Sequence, residues 1–98
     1  MRPAVLCVAL LCAIALPQTL LASPHLSKWT AMQIGLNALK AKYPGEYRHL
    51  VLTYRPYVAD FEHGVWHVSG KSFVPGGRAP VIEVRDRDEK VLKIYFAR

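Results

Sequence analysis

Residues 65–96 read VWHVSGKSFVPGGRAPVIEVRDRDEKVLKIYF, and this stretch decides the fold class. Its apolar residues recur at every second position. Within Val65–Ser69, Trp66 and Val68 fall on one side and Val65, His67 and Ser69 on the other. From Pro80 to Arg85, Ile82 and Val84 alternate with Val81 and Glu83; from Lys90 to Phe96, Leu92, Ile94 and Phe96 alternate with Val91, Lys93 and Tyr95. A period of two is that of a strand with one face in a core. Turn signals separate the runs: a loop, Gly70 to Arg78, holding Pro75-Gly76-Gly77, and a polar turn, Asp86-Arg87-Asp88-Glu89. Short connections between such runs make an antiparallel sheet.

Upstream the period changes. Trp29, Met32, Leu36, Leu39 and Tyr43 are spaced by three and four, one face of an amphipathic helix. Ser27 suits the N-cap, with Thr30 and Gln33 as an alternative capping box. Tyr43-Pro44-Gly45 ends the helix, and Lys40 and Lys42 sit where its dipole favours cations. Gly35 weakens a helix interior by up to ~1 kcal/mol, so its presence predicts a close backbone approach. Arg48 to Tyr54 alternates Leu50, Leu52 and Tyr54 with Val51 and Thr53 and reads as a strand, at a sheet edge or interrupted at Pro56, and continued by Tyr57 to Phe61. Glu62-His63-Gly64 reads as a turn. The expected fold is α+β: one N-terminal helix packed on a three- to four-stranded antiparallel sheet. Its expected core is Met32, Leu36, Leu39, Trp66, Val68, Ile82, Val84, Leu92, Ile94 and Phe96. Val65, Val81, Val91 and Tyr95 lie on the opposite face, so the Tyr54–Phe61 segment or another chain is expected to cover part of it; a homodimer is one such arrangement.

The first 22 residues read as a secretion signal. Arg2 is a positive n-region, Val5 to Leu16 is an apolar run, and Ala22-Ser23 offers small residues for cleavage. The run is short for a permanent span of ~30 Å of hydrocarbon. The expected mature chain, residues 23–98, is one small domain, free of any permanent membrane span and located in the periplasm or secreted. Both cysteines, Cys7 and Cys12, fall in the signal, which excludes a cysteine nucleophile or thiolate metal site from the mature chain. The chain's net charge is +6. Its cations are scattered and interleaved with carboxylates, unlike the clustered footprint of a nucleic-acid binder, so no nucleic-acid partner is expected. The 52% apolar content argues against global disorder.

No constellation argues for catalysis, a cofactor or a metal. His63 and His67, four apart in a strand, would stand ~13 Å from each other. Ser69, His67 and Asp60 lack a nucleophile elbow. The carboxylates Glu83, Asp86, Asp88 and Glu89 lack calcium-loop spacing, and Pro75-Gly76-Gly77 lacks the lysine and helix of a phosphate loop. The expected protein is not an enzyme. Tyr54, Tyr57, Phe61, Trp66 and Phe73 serve either as packing groups or as an aromatic contact surface with Arg55, Lys71 and Arg78 at its rim.

Residues 54–96 resemble the NTF2-fold immunity protein family found with bacterial polymorphic toxins. The likeness is carried by Tyr54 and Pro56, by the Gly64-x-Trp66-x-Val68-x-Gly70 strand, by the pair Gly76-Gly77, and by the terminal hairpin Val81–Val84 and Val91–Ile94. The family's terminal turn reads Asp-Gly, whereas here Asp88 precedes Glu89, which suggests a different turn geometry. The resemblance implies a partial NTF2 or cystatin-like fold and a non-enzymatic protein that binds a cognate toxin. Trp66, His67, Lys71, Phe73, Gly76, Gly77 and Arg78 are the candidate partner-binding residues. A PepSY-like envelope module that regulates a peptidase or sensor is an alternative, and a small-molecule binder a further one.

Overall fold

The structure is a computed structural model that describes residues 23–98; the expected secretion signal lies outside the described residues. Two helices precede four strands: α1 (Lys28–Lys42), α2 (Tyr47–Thr53), β1 (Val58–Glu62), β2 (Val65–Ser69), β3 (Ala79–Arg85) and β4 (Val91–Ala97). The strands form one open antiparallel sheet in the order β1-β2-β3-β4, with the helices packed against it. The expected α+β class is therefore observed, with four strands and a second helix.

That second helix corrects the sequence reading. The segment expected as a strand from Arg48 to Tyr54 is α2. Tyr47, Leu50 and Tyr54, spaced three and four apart, all pack against the core, a helical stripe coexisting with the alternation. The Tyr57 hydroxyl donates to the Leu50 carbonyl (3.1 Å), a second bond to an acceptor that also takes the Tyr54 amide (3.2 Å) at the end of this short helix. Burial, then the nearby Tyr54 and Tyr47 phenols, push the Tyr57 pKa up to about 12. The chain then passes through a cis Arg55–Pro56 peptide into β1.

Ser27 caps α1, its hydroxyl accepting from the Thr30 amide (3.1 Å). The buried face of α1 is not the stripe of large residues. Ala31, Gly35 and Leu39 are buried, Met32 and Leu36 only flank the core, and Trp29 is 72% exposed. Gly35 explains the rotation: a Cβ there would stand 2.9 Å from the Val68 Cβ. The helix backbone rests directly on β2 at Gly35, so Ala31, Gly35 and Leu39 face the sheet while Trp29, Met32 and Leu36 are displaced to the side. The close approach expected of Gly35 is thus observed.

Cross-strand register places Ala59, Val68, Ile82 and Ile94 in one row and Phe61, Trp66 and Val84 in another. Val68, Ile82 and Val84 are fully buried beneath the helices. Leu92, expected in the core, is exposed: the β3–β4 register shifts between Glu83 and Val84, which pair with Lys93 and Val91, and leaves Leu92 out of the pairing. His63 and Gly64, both at positive φ, form the β1–β2 turn, the conformation that a two-residue hairpin favours. In the β3–β4 turn Glu89 adopts φ 61°, so the left-handed residue is retained without glycine. Asp88 braces it, accepting from the Lys90 amide (3.2 Å) and from the Arg85 guanidinium (2.8 and 3.0 Å).

Asp86 ties the layers together. Its carboxylate is buried and accepts three N–H groups: the backbone amides of His25 (2.6 Å) and Leu26 (2.8 Å) and the Trp66 indole (3.0 Å). Burial pushes its pKa up, but the Leu26, His25 and Trp66 donors together outweigh burial, and the net direction is down. One side chain from the end of β3 thereby fixes the segment entering α1 and the largest aromatic of the core.

Candidate functional site

The loop 70–78 joins β2 to β3 and is braced at both ends. The Gly70 amide donates to the Pro80 carbonyl (3.0 Å), the Lys71 amide to the Tyr54 carbonyl (2.7 Å) and the Gly77 amide to the Val74 carbonyl (2.8 Å). Ser72 Oγ accepts from the Val74 amide (3.3 Å). Gly77 is required by space, because a Cβ would collide with Ser72 Oγ and stand 2.9 Å from the Val74 carbonyl oxygen. Gly76 has φ 73°, open to glycine without strain.

This bracing holds two apolar side chains out in solvent. Phe73 and Val74 are each 68% exposed, with the Lys71 ammonium 5.5 Å from the centre of the Phe73 ring. On one side of the tip, Thr53, Tyr54, Phe73 and Arg78 border a depression of about 350 Å³. On the other, Ser69, Lys71, Ser72, Val81 and Arg98 border an open concavity of about 530 Å³.

Of the residues expected to contact a partner, Lys71, Phe73, Gly76, Gly77 and Arg78 share this loop. Trp66 and His67 do not join them. Trp66 is only 6% exposed, lies 5.1 Å from the Phe61 ring and gives its indole N–H to Asp86; its role is in the core. His67 points to the opposite face, its Nε2 3.7 Å from Glu83 Oε2, an oxygen that also accepts from the Tyr95 hydroxyl (3.0 Å). Burial, then the Glu83 bond, raises the Tyr95 pKa. His67 thus meets Glu83, across β3, and Asp60 is its register partner on β1. Among the described residues no three His, Cys, Asp or Glu side chains converge to hold a metal ion, and no helix is long and apolar enough to cross a membrane.

Topology also separates charge along the strands. The β1–β2 and β3–β4 turns share one end of the sheet, where Glu62, Asp86, Asp88 and Glu89 lie among Arg85, Arg87 and Lys90. The loop 70–78 occupies the other. Tyr43, after the last turn of α1, stacks edge-on to Phe96 near the end of β4 (6.2 Å), which brings Lys40 and Lys42 to the loop end. Lys71, Arg78 and Arg98 are there too, with Arg55 next to Tyr54. Glu46 is the carboxylate nearest this group in the chain. The excess positive charge therefore lies at the loop end of the sheet, with Lys71 and Arg78 beside the exposed Phe73.

Sequence reasoning missed Asp86, taken as a turn charge, and passed over Val74. A buried tryptophan needs an acceptor for its N–H, which was the available signal for the first; an apolar pair in a glycine-rich loop was the signal for the second. No protein-family model, curated protein or solved structure matches the chain.

Proposed function

We propose that the chain is a non-enzymatic binding protein whose loop end docks on an acidic surface of a partner protein. The observation that carries this reading is the Phe73–Val74 tip, exposed in solvent on a loop braced by its own backbone bonds. A rigid aromatic anchor pays little ordering entropy on binding and suits an energetic hot spot. The surrounding Lys71, Arg78, Lys40 and Lys42 would steer a negatively charged partner and speed encounter. In the terms of the family resemblance, the partner is a toxin and the outcome of docking is its neutralisation, in the periplasm or outside the cell.

The test is co-expression with the products of adjacent genes, followed by affinity capture. A neighbouring toxin is expected to co-purify with the wild-type chain and to be released by Phe73→Ala with Val74→Ser. Absence of both complex and protection with every neighbour would overturn the proposal. A captured peptidase or sensor would transfer the reading to the PepSY-like alternative. The open concavity of about 530 Å³ beside the loop, within the ~300–1,000 Å³ of small-molecule sites, favours a second reading: an anionic ligand held by Lys71 and Arg98. A thermal-shift screen of organic carboxylates and phosphates that yields no stabilisation would dismiss it.

A further inference from the structure

We propose that β4, together with the exposed flank of α1, is the interface of a two-fold symmetric dimer of this chain. The argument begins at the helix. Tyr43 packs on Phe96, so this flank of α1 overhangs β4. Trp29, Met32 and Leu36 lie along the same flank and border a depression of about 350 Å³. Below them β4 is an edge strand, whose helix-facing Val91, Ile94 and Phe96 are incompletely buried, while Leu92, left out of the pairing by the register shift, is exposed. Among the described residues no strand pairs with the outer edge of β4, whose row of backbone donors and acceptors adjoins this apolar band. Isolated exposed apolar residues are ordinary on a protein surface, whereas a contiguous band marks an interaction site.

Charge selects the occupant. Lysine in an edge strand ordinarily discourages pairing, and pairing centred on Lys93 would oppose it to its own copy. Pairing centred on Ile94 does not. It sets Ile94 against the second copy's Ile94 and Lys93 against Tyr95, whose hydroxyl is bonded to the Glu83 carboxylate, with Leu92 outside the regular pairing at the register shift. Within one chain Lys93 already lies 5.2 Å from its own Tyr95 ring, so the same cation–aromatic contact is available across the axis. Ile94 then meets an apolar side chain and the cation meets an aromatic ring backed by an anion. The opposite edge, β1, carries exposed Asp60 and Glu62, which repel a second β1. Pairing β4 with β1 would be head-to-tail and open-ended and would leave the Trp29 flank uncovered. The two-fold arrangement closes and extends the four strands into one continuous sheet, with the two α1 flanks bordering a shared apolar trench.

Sedimentation velocity on the purified full chain, from about 1 to 100 µM, tests this, since self-association follows mass action. A concentration-dependent monomer–dimer equilibrium is expected, with amide exchange slowed from Lys93 to Ala97 in the dimer. Trp29→Ser and Lys93→Ala are each expected to weaken association about tenfold or more, the scale of one lost hot-spot contact. Both side chains are exposed, so the variants should fold, and unchanged circular dichroism checks that they do. A monomer throughout the range overturns the proposal. So do species that grow beyond a dimer, or a dimer in which β4 exchange and both substitutions have no effect.

Discussion

Replacing Asp86 with asparagine exchanges one carboxylate oxygen for an NH₂ group at the point where the N-terminal segment, Trp66 and β3 meet. The carboxylate accepts three N–H groups and donates none. In Asp86→Asn the amide carbonyl can still serve Leu26 and Trp66, but the NH₂ group faces the His25 amide, donor against donor. A hydrogen bond to a charged acceptor contributes about 1.5–3 kcal/mol, and an unsatisfied buried donor costs about 1–3 kcal/mol. We expect a loss of about 3–4 kcal/mol, large for a domain whose total stability is on the order of 4–11 kcal/mol at typical per-residue values. Urea denaturation followed by Trp66 fluorescence, in a Trp29→Phe background, measures it. The pH dependence supplies the sign. The folded pKa of Asp86 lies below its unfolded value, so its contribution is complete above about pH 4 and lost as pH falls through the folded value. The gap between wild type and Asp86→Asn should be widest near neutrality and should narrow in acid. Asp88, whose pKa is lowered to about 2 by the Arg85 hydrogen bond, titrates in both proteins and cancels. A loss below about 0.5 kcal/mol at pH 7, or a gap constant down to the most acid folded conditions, would refute the assigned role.

Other substitutions separate close packing from surface display. Gly35→Ala gains helix propensity but drives a methyl into Val68, so a net destabilisation of about 1–3 kcal/mol is expected by overpacking, read as a lower urea midpoint. Tyr57→Phe removes the bond to the Leu50 carbonyl and should cost about 1 kcal/mol; in ultraviolet titration it should also delete the phenol ionising near pH 12. Phe73→Ala should leave stability within about 0.5 kcal/mol of wild type, as exposed substitutions do, while abolishing capture of the partner. If partner association is steered by the loop-end cations, its on-rate should fall steeply as salt rises from 0.01 to about 0.15 M, and a flat response in stopped-flow would contradict the charge argument.

The three C-terminal strands were legible because a two-residue period with turn residues between runs admits few other structures. The Ser27 cap and the role of Gly35 were equally local. Tyr47 to Tyr54 was not: its alternation of Leu50, Leu52 and Tyr54 fits a strand, while Tyr47, Leu50 and Tyr54 fit a helix. Seven residues are too few for periodicity to decide between them. The α1 stripe misled differently. Size suggested that Trp29 and Leu36 face the core, but Gly35 brings the backbone onto Val68 and turns the face of Ala31, Gly35 and Leu39 inward instead. Within the candidate site, the loop glycines and Phe73 could be read directly. The separation of Trp66 from His67 followed from their alternation, yet only the helices determine which face is closed. Asp86 depends on partners about sixty positions upstream, beyond any local pattern.

The grip of Asp86 on His25 and Leu26 has a practical consequence for handling the protein. His25 and Leu26 are held at the hairpin-turn end, across the length of the sheet from Phe73. A chain beginning at Ser23 and immobilised there would therefore present the Phe73 tip outward, whereas attachment through Arg98, which borders the concavity beside that tip, would crowd the surface meant to be probed.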